Sequence, residues 1–238
     1  MNKIHKKINT NNQKVFLVGD IHGMYDEFVQ LLNVMQWKNG DILISTGDLI
    51  DRGPQIKETL DFFMKTDNTY VVCGNHENKF LKYLSGKTKN THSLRHTIEQ
   101  TKPLNQQKLR EFIESLPRLL EFDTNKFVFH AGIHPFQDVR HQKDEDNYIY
   151  MREFTNKKND VGMWWDFYYG SDELYFGHEV TEPEDREPFE NCFSLDGGAC
   201  FGKEMRGIVI AADGRKTWHA VKSNRAFAKY NKKYIEEE

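Results

Sequence analysis

In the N-terminal part of the chain a short apolar run ends three times in a glycine and a polar cluster, and a stretch of helical periodicity follows each time. The first run is Val15-Phe16-Leu17-Val18, closing on Gly19-Asp20-Ile21-His22-Gly23, after which Phe28, Leu31, Leu32 and Met35 mark one helix face. The second is Ile42-Leu43-Ile44, closing on Gly47-Asp48-Leu49-Ile50-Asp51-Arg52-Gly53, with Pro54 suited to the first turn of a helix that carries Ile56, Leu60 and Phe63. The third is Tyr70-Val71-Val72-Cys73, closing on Gly74-Asn75-His76-Glu77, with Phe80, Leu81 and Leu84 behind it. Strand, polar loop and helix in repetition define an α/β fold. Ligands in such folds bind at the carboxyl ends of the strands, so the three clusters can meet at one site.

The remainder of the chain adds strands. Leu109–Leu116 reads as a helix stopped by Pro117, and residues 87–107 as polar loop or irregular helix. Leu119–Phe122 and Phe127–Phe129 form a hairpin, and the second strand runs into His130-Ala131-Gly132. Short strand-like runs at 174–176, 192–195, 207–211 and 217–221 predict a second sheet against the first. Residues 1–13 are polar and Asn-rich and are expected to form a flexible arm, 14–225 one catalytic domain, and 226–238 a charged tail. The stretch 138–147 is expected to be a solvated, charged insertion.

With 38% hydrophobic and 29% charged residues the 238-residue chain can bury a sizeable core. A formal charge of -3 leaves no basic footprint for nucleic acid, which is not expected as a partner except as an RNA-end substrate. No stretch approaches the roughly 20 apolar residues of a membrane helix. Cys73, Cys192 and Cys200 are an odd, scattered set with no paired spacing, which suits a reducing cytoplasm.

The chemistry lies at the loop tips: Asp20, His22, Asp48, Asp51, Arg52, Asn75, His76 and Glu77, joined later by His130 and by His178 in Tyr175-Phe176-Gly177-His178. These are oxygen and imidazole donors, a set that suits Mn, Fe or Zn better than a thiolate metal. Asp20 and His22 lie two apart, so on extended backbone their side chains would share a side. A single ion does not need this many donors, whereas a pair of ions sharing a carboxylate does. Enhancements in phosphate-monoester hydrolysis reach about 10²¹, or roughly 28 kcal/mol. A general acid supplies only about 10²–10⁴ of that.

Gly19-Asp20-Ile21-His22-Gly23, Gly47-Asp48-Leu49-Ile50-Asp51-Arg52-Gly53 and Gly74-Asn75-His76-Glu77 resemble the three signature blocks of the phosphoprotein phosphatases, within the calcineurin-like metallophosphoesterases. They stand in the family's order, and His130-Ala131-Gly132 and Gly177-His178 resemble its two later histidine blocks. The resemblance implies a four-layer α/β fold, a central β-sandwich flanked by helices. It implies two divalent ions, Mn²⁺ first with Fe or Zn as alternatives, and direct attack on phosphorus by a hydroxide bridging them. Asp20 and His22 match ligands of the first ion, Asp48 the bridging carboxylate, and Asn75, His130 and His178 ligands of the second. His76 matches the general acid, Asp51 the carboxylate that orients it, and Arg52 a phosphate clamp. Arg152, in Tyr150-Met151-Arg152, matches a second phosphate arginine more loosely, with Arg140 as the weaker candidate. Glu179 stands where the family has Thr, and the turn at 194–199 reads as a support for the site.

Each residue also has a plainer reading. Gly-Asp neighbours are ordinarily turns, isolated histidines ordinarily core or surface, and a lone arginine an ion pair. His92, His96, His134 and His141 are read as surface residues, with lining of the cleft as the alternative for His134 and His141, and Cys73 as core. The aromatic run Met163–Tyr169 is read as packing between sheet and helix rather than as a platform for bases. The expected activity is a phosphomonoesterase acting on phosphoserine or phosphothreonine in protein, or on a small phosphoester. Two features motivate it: Asp51, where the related tetraphosphatases carry a non-acidic residue, and Glu77, where they carry Asp. The alternatives are a dinucleoside polyphosphate hydrolase, an RNA-end phosphatase, and, more remotely, a binding module without activity.

Overall fold

The computed structural model describes residues 4–89 and 94–228. Two five-stranded sheets face each other, with helices on their outer sides. The first sheet is built on the three repeated units. β2 (Val15–Val18), β3 (Ile42–Ser45) and β4 (Thr69–Val71) lie parallel, and β11 (Glu204–Ile210) and β12 (Lys216–Lys222) extend it antiparallel to give the order β12-β11-β2-β3-β4. The second contains β1 (His5–Ile8), β5 (Leu119–Phe122), β6 (Lys126–Phe129), β9 (Glu173–Phe176) and β10 (Cys192–Ser194), in the order β1-β5-β6-β9-β10. A small hairpin, β7 (Glu153–Thr155) and β8 (Val161–Met163), stands apart.

Strand periodicity divides the core. Val15 and Leu17 of β2 point between the sheets, where they join Ile44, Val72, Val128, Tyr175, Phe193 and Ile208. Phe16 and Val18 point the other way, onto Phe28 and Leu31 of α1 (Tyr25–Val34) and Leu60 and Phe63 of α2 (Ile56–Lys65). In the second sheet Val128 and Tyr175 face inward, while Phe129 and Phe176 face Trp164, Trp165 and Tyr148. The strands are thus covered on both faces, so they read as unbroken apolar runs. The aromatic run is packing as expected: Trp164 is fully buried and donates to the Ala131 carbonyl at 3.1 Å, with Tyr169 the exposed exception. Among the described residues no helix is long and apolar enough to cross a membrane.

The free N-terminal arm is a correction. His5–Ile8 pairs in parallel with β5, in register from His5 with Leu119 to Ile8 with Phe122. Its lysines, Lys6 and Lys7, suit an edge strand. The link is also ionic: Glu121 of β5 is buried and meets Lys7 at 2.8 Å and Arg140 at 3.1 Å. The 138–147 insertion is therefore anchored, with Val139 and Gln142 buried as well. The C-terminal boundary moves too, because Ala226 bridges Phe201 and the Phe227 N–H donates to the Cys200 carbonyl at 2.8 Å. The rest of the expected tail, and His92, lie outside the described residues.

Burial works against a charged Glu121, but hydrogen bonds from Arg140 and Lys7 outweigh it and hold the carboxyl at about 2. Its ordinary value is 4.5, so the stabilisation is complete above that value and is lost as pH falls from 4.5 toward 2. Glu121→Gln should lower stability by about 1–3 kcal/mol at about pH 6–7, the lower part of that range reflecting the exposed Lys7. In urea titrations run across pH, the gap between wild type and variant should close by about pH 2. A gap unchanged there would show that the ion pairs contribute nothing.

Candidate metal centre

Five strands run in the same direction and finish at one edge of the sandwich. β2 leads to Asp20, β3 to Asp48 and β4 to α3 (Asn75–Leu84), while β6 leads to His130 and β9, through Gly177, to His178. β6 and β9 are parallel neighbours, so the two late histidines arrive side by side, their ring centroids 4.8 Å apart. Asp20, His22, Asp48, Asp51, Arg52, Asn75, His76, Glu77, His130 and His178 all lie in this one cluster.

Asp48 is its middle. One oxygen, Oδ2, lies 3.6 Å from His22 Nε2, 3.3 Å from His130 Nε2 and 3.8 Å from His76 Nε2. The other, Oδ1, accepts the His76 backbone N–H at 3.1 Å. The imidazoles are oriented by backbone carbonyls, which can only accept. His22 Nδ1 lies 2.8 Å from the Ile50 carbonyl and His130 Nδ1 2.9 Å from that of Thr46, so both Nδ1 atoms carry protons and both Nε2 atoms face the centre. His130 Nε2 there meets Asn75 Oδ1 at 2.9 Å and His178 Nδ1 at 3.0 Å, and Asn75 Oδ1 lies 3.1 Å from His178 Nδ1. Four acceptor-type atoms, with Asp48 Oδ2 the fourth, thus crowd one point, and a single imidazole proton satisfies only one contact. A cation is the natural partner of such a cluster. Backbone-held imidazoles around a shared carboxylate are also how metal ligands are oriented.

Two overlapping donor groups result, one of His22, Asp48 and His76 and one of Asp48, His130 and His178, with the donor atoms of each within 4.8 Å of one another. Asp20 stands slightly behind. Its Oδ1 accepts from the Thr46 hydroxyl at 3.0 Å and its Oδ2 from the His178 N–H at 3.0 Å.

Electrostatics follow from burial. Desolvation, with Asp196 nearby, raises Asp20 well above the ordinary carboxylate range. For Asp48 desolvation is outweighed by His130, His76 and His22, and the carboxyl sits well below its usual value. His130 is pushed up to about 9, because Asp48 and Asp20 overcome its burial. Burial holds His178 and His22 well below their usual value, reinforced by His130 and Arg152 for the former and by Arg52 for the latter.

His76 Nδ1 lies 2.6 Å from Asp51 Oδ2, so the Asp51 carboxyl of the second block stands within hydrogen-bonding distance of the ring. Behind it stands a residue the sequence did not reveal. The hydroxyl of Thr97, on α4 (Leu94–Thr101), donates a short hydrogen bond to Asp51 Oδ1. Thr97 falls in the polar segment read as loop or irregular helix, with no motif around it. Thr46 was also missed. It holds Asp20 with its hydroxyl and His130 with its carbonyl, and its place beside Gly47 was the one available signal.

Backbone geometry explains the glycines and corrects one expectation. His22, Asp48, Asp51, Arg52 and His178 all have positive φ, from 47° to 68°. Such values are uncommon outside glycine and cluster at functional sites. His22 therefore reaches the centre through a left-handed turn, not by sharing a strand side with Asp20. Gly74 and Gly177 serve close approach: a Cβ would lie 2.1 Å from Asp48 Oδ1 at the first and 1.9 Å from Asp20 Oδ1 at the second.

Glu77 locks two loops together. Its carboxylate accepts the N–H groups of Asp48 and Leu49 at 2.8 Å each and that of Gly74 at 3.0 Å. Burial and the Asp48 charge push its carboxyl up to about 7. Glu77→Ala leaves three buried donors without their acceptor. At about 1–3 kcal/mol per orphaned group, the expected loss is on the order of 3–9 kcal/mol, measured by urea unfolding. A loss below about 1 kcal/mol would mean that water replaces the carboxylate.

The arginines differ. Arg52 Nη1 donates to His22 Nε2 at 2.8 Å, and its guanidinium lies over the Phe201 ring at 5.0 Å. Arg152 is ion-paired with Glu179, the residue standing in place of the family's Thr. Arg140 is removed from consideration, since it sits over Phe127 near the start of β6, away from the end that carries His130.

A buried carboxylate–imidazole centre with an arginine beside it, at the strand ends of a helix-flanked β-sandwich, defines a metal-dependent hydrolase of phosphate esters or anhydrides. Residues 13–219 match the calcineurin-like phosphoesterases, and the chain belongs to that family. The asymmetrical bis(5'-nucleosyl)-tetraphosphatase PrpE of Geobacillus sp. (strain WCH70) is 28% identical over 215 residues, covering 79% of this chain and 87% of the relative. A solved structure of a candidate diadenosine tetraphosphatase superimposes with a TM-score of 0.75 at 21% identity, covering 93% of this chain and 98% of the other. A serine/threonine phosphatase from Saccharomyces cerevisiae superimposes at 0.60 with 13% identity, covering 97% and 86%. The last two likenesses concern the fold.

Proposed function

We propose that the chain hydrolyses the phosphoanhydride bonds of a bis(5'-nucleosyl) polyphosphate. The observation that carries this reading is the likeness to PrpE over most of both chains, with the whole set of candidate catalytic groups brought together. The phosphoserine/phosphothreonine reading had rested on Glu77 and Asp51, and neither discriminates. Glu77 is occupied with three backbone donors, and Asp51 serves His76 whatever the leaving group.

In this reading His22, Asp48, Asn75, His130 and His178, with Asp20 behind them, would hold two divalent cations, Asp48 belonging to both donor groups. Their oxygen and imidazole donors suit Mn²⁺, Fe or Zn. Such a pair supplies an activated water nucleophile and compensates charge on the phosphoryl oxygens. The remaining work belongs to side chains. His76 protonates the leaving oxygen through Nε2, and Asp51, steadied by Thr97, fixes its ring and stabilises the imidazolium. Arg52 binds phosphate oxygens with its planar fork. Arg152, partly neutralised by Glu179, adds charge at the rim.

The deciding experiment gives the Mn-loaded protein bis(5'-adenosyl) tetraphosphate, a phosphothreonine peptide and RNA with terminal phosphates side by side. The tetraphosphate is expected to show the highest kcat/KM. Peptide or RNA turnover well above it would overturn the assignment.

A further inference from the structure

Beside α3 a polar groove of about 540 Å³ opens, lined by Asn78, Leu81, Lys82, Ser85, Lys87, Glu114 and Arg118. That volume is within the range of small-molecule sites. Its position on the helix is informative. Asn75, Asn78, Lys82 and Ser85 fall at i, i+3, i+7 and i+10, one stripe of a single helix face. The first of them belongs to the metal centre and the others line the groove. Lys82 is seven residues from Asn75, or about 10 Å along the axis. The groove therefore lies farther along the helix whose first turn carries Asn75 of the centre.

Its rim holds an oriented aromatic ring. Tyr150 ends α6 (Asn147–Tyr150) and is 41% exposed although its neighbours Tyr148 and Ile149 are buried. Asn78 donates to the Tyr150 hydroxyl at 2.8 Å, and the Lys82 ammonium lies 6.0 Å from the ring centroid. Arg118 is tied to Asp146 and Glu114 to Arg110. An exposed, oriented ring beside ammonium groups is suited to a nucleobase joined to phosphates.

We propose that this groove is a second nucleotide subsite. In it Tyr150 stacks on the base of the nucleoside distal to the cleaved bond, and Lys82 and Lys87 meet its phosphates. The inference rests on the proposed hydrolysis of dinucleoside polyphosphates and deepens it. It explains how α3 would hold both ends of one extended substrate, reacting phosphate at its N-terminal turn and remote nucleoside farther along.

Binding separates the two readings. ATP titrated calorimetrically into the Mn-loaded protein should bind the wild type, with Tyr150→Ala weakening it about tenfold and the Lys82→Ala/Lys87→Ala double variant by a similar, salt-sensitive factor. Tyr150→Phe, which keeps the ring, should bind within about twofold of wild type. Turnover of p-nitrophenyl phosphate, too small to reach the groove, should be the same in all of these proteins. Absent ATP binding, or equal binding by wild type and Tyr150→Ala, would overturn the subsite. A phosphothreonine-peptide KM that rises in the lysine variant while ATP binding is unchanged would also overturn it, assigning the groove to acidic peptides. Failure of tetraphosphate hydrolysis alone, with ATP binding and its loss intact, would instead overturn the proposed function.

Discussion

Asp48→Ala is expected to cost the protein both cations and about 10⁴-fold or more in kcat/KM, which is roughly 5.4 kcal/mol at 1.36 per decade. The magnitude follows from position. Asp48 Oδ2 lies between His22 on one side and His130 on the other, so it belongs to both donor groups. Removing a ligand from one site would leave the other loaded, whereas removing the shared carboxylate empties both. Asp48→Asn provides the control for folding, because an amide oxygen can still accept the His76 N–H that Oδ1 accepts now. Metal analysis after dialysis should find well under one equivalent in either variant. Two equivalents retained in Asp48→Ala would exclude a shared carboxylate, whatever the activity.

The second large effect concerns His76 and discriminates between two roles. Its ring nitrogens face Asp51 at 2.6 Å and Asp48 at 3.8 Å, so geometry alone also allows it as a donor beside His22 and Asp48. As a general acid its removal keeps both cations and lowers kcat by about 10²–10⁴, the full contribution of proton transfer. The loss should depend on the leaving group. It should be greatest for an alkyl phosphate, whose alkoxide must be protonated, and least for p-nitrophenyl phosphate, whose phenolate leaves unaided. Plotted against leaving-group basicity, His76→Ala should therefore give a steeper slope than wild type. Parallel slopes, or one cation missing from the variant, would make His76 a ligand instead.

How much was legible can be followed residue by residue. The apolar runs of β2 and β3 declared themselves as strands, because a strand covered on both faces has no polar alternation. His5–Ile8 did not declare itself. An edge strand carrying lysines has the composition of a free arm, and only β5 and Glu121 make it structure. Thr97 was invisible for a similar reason, since its role depends on how α4 packs over the second loop. The groove residues carried no motif, because their common feature is a helix face beside Tyr150, 72 positions from Asn78 in the chain. Glu77 was noticed, but for substrate choice, when its work is to tie two loops together.

By itself the sequence determined the type of fold, the order of the loops and the donors they carry, since local periodicity and residue chemistry are properties of adjacent positions. The tertiary structure alone decided which atoms face one another. It turned His22 inward through a left-handed backbone, placed Asp48 between two imidazole sets, paired Arg152 with Glu179 and laid the groove along α3. Those outcomes depend on strand register and helix packing, which join residues far apart in the chain and leave no local trace in it.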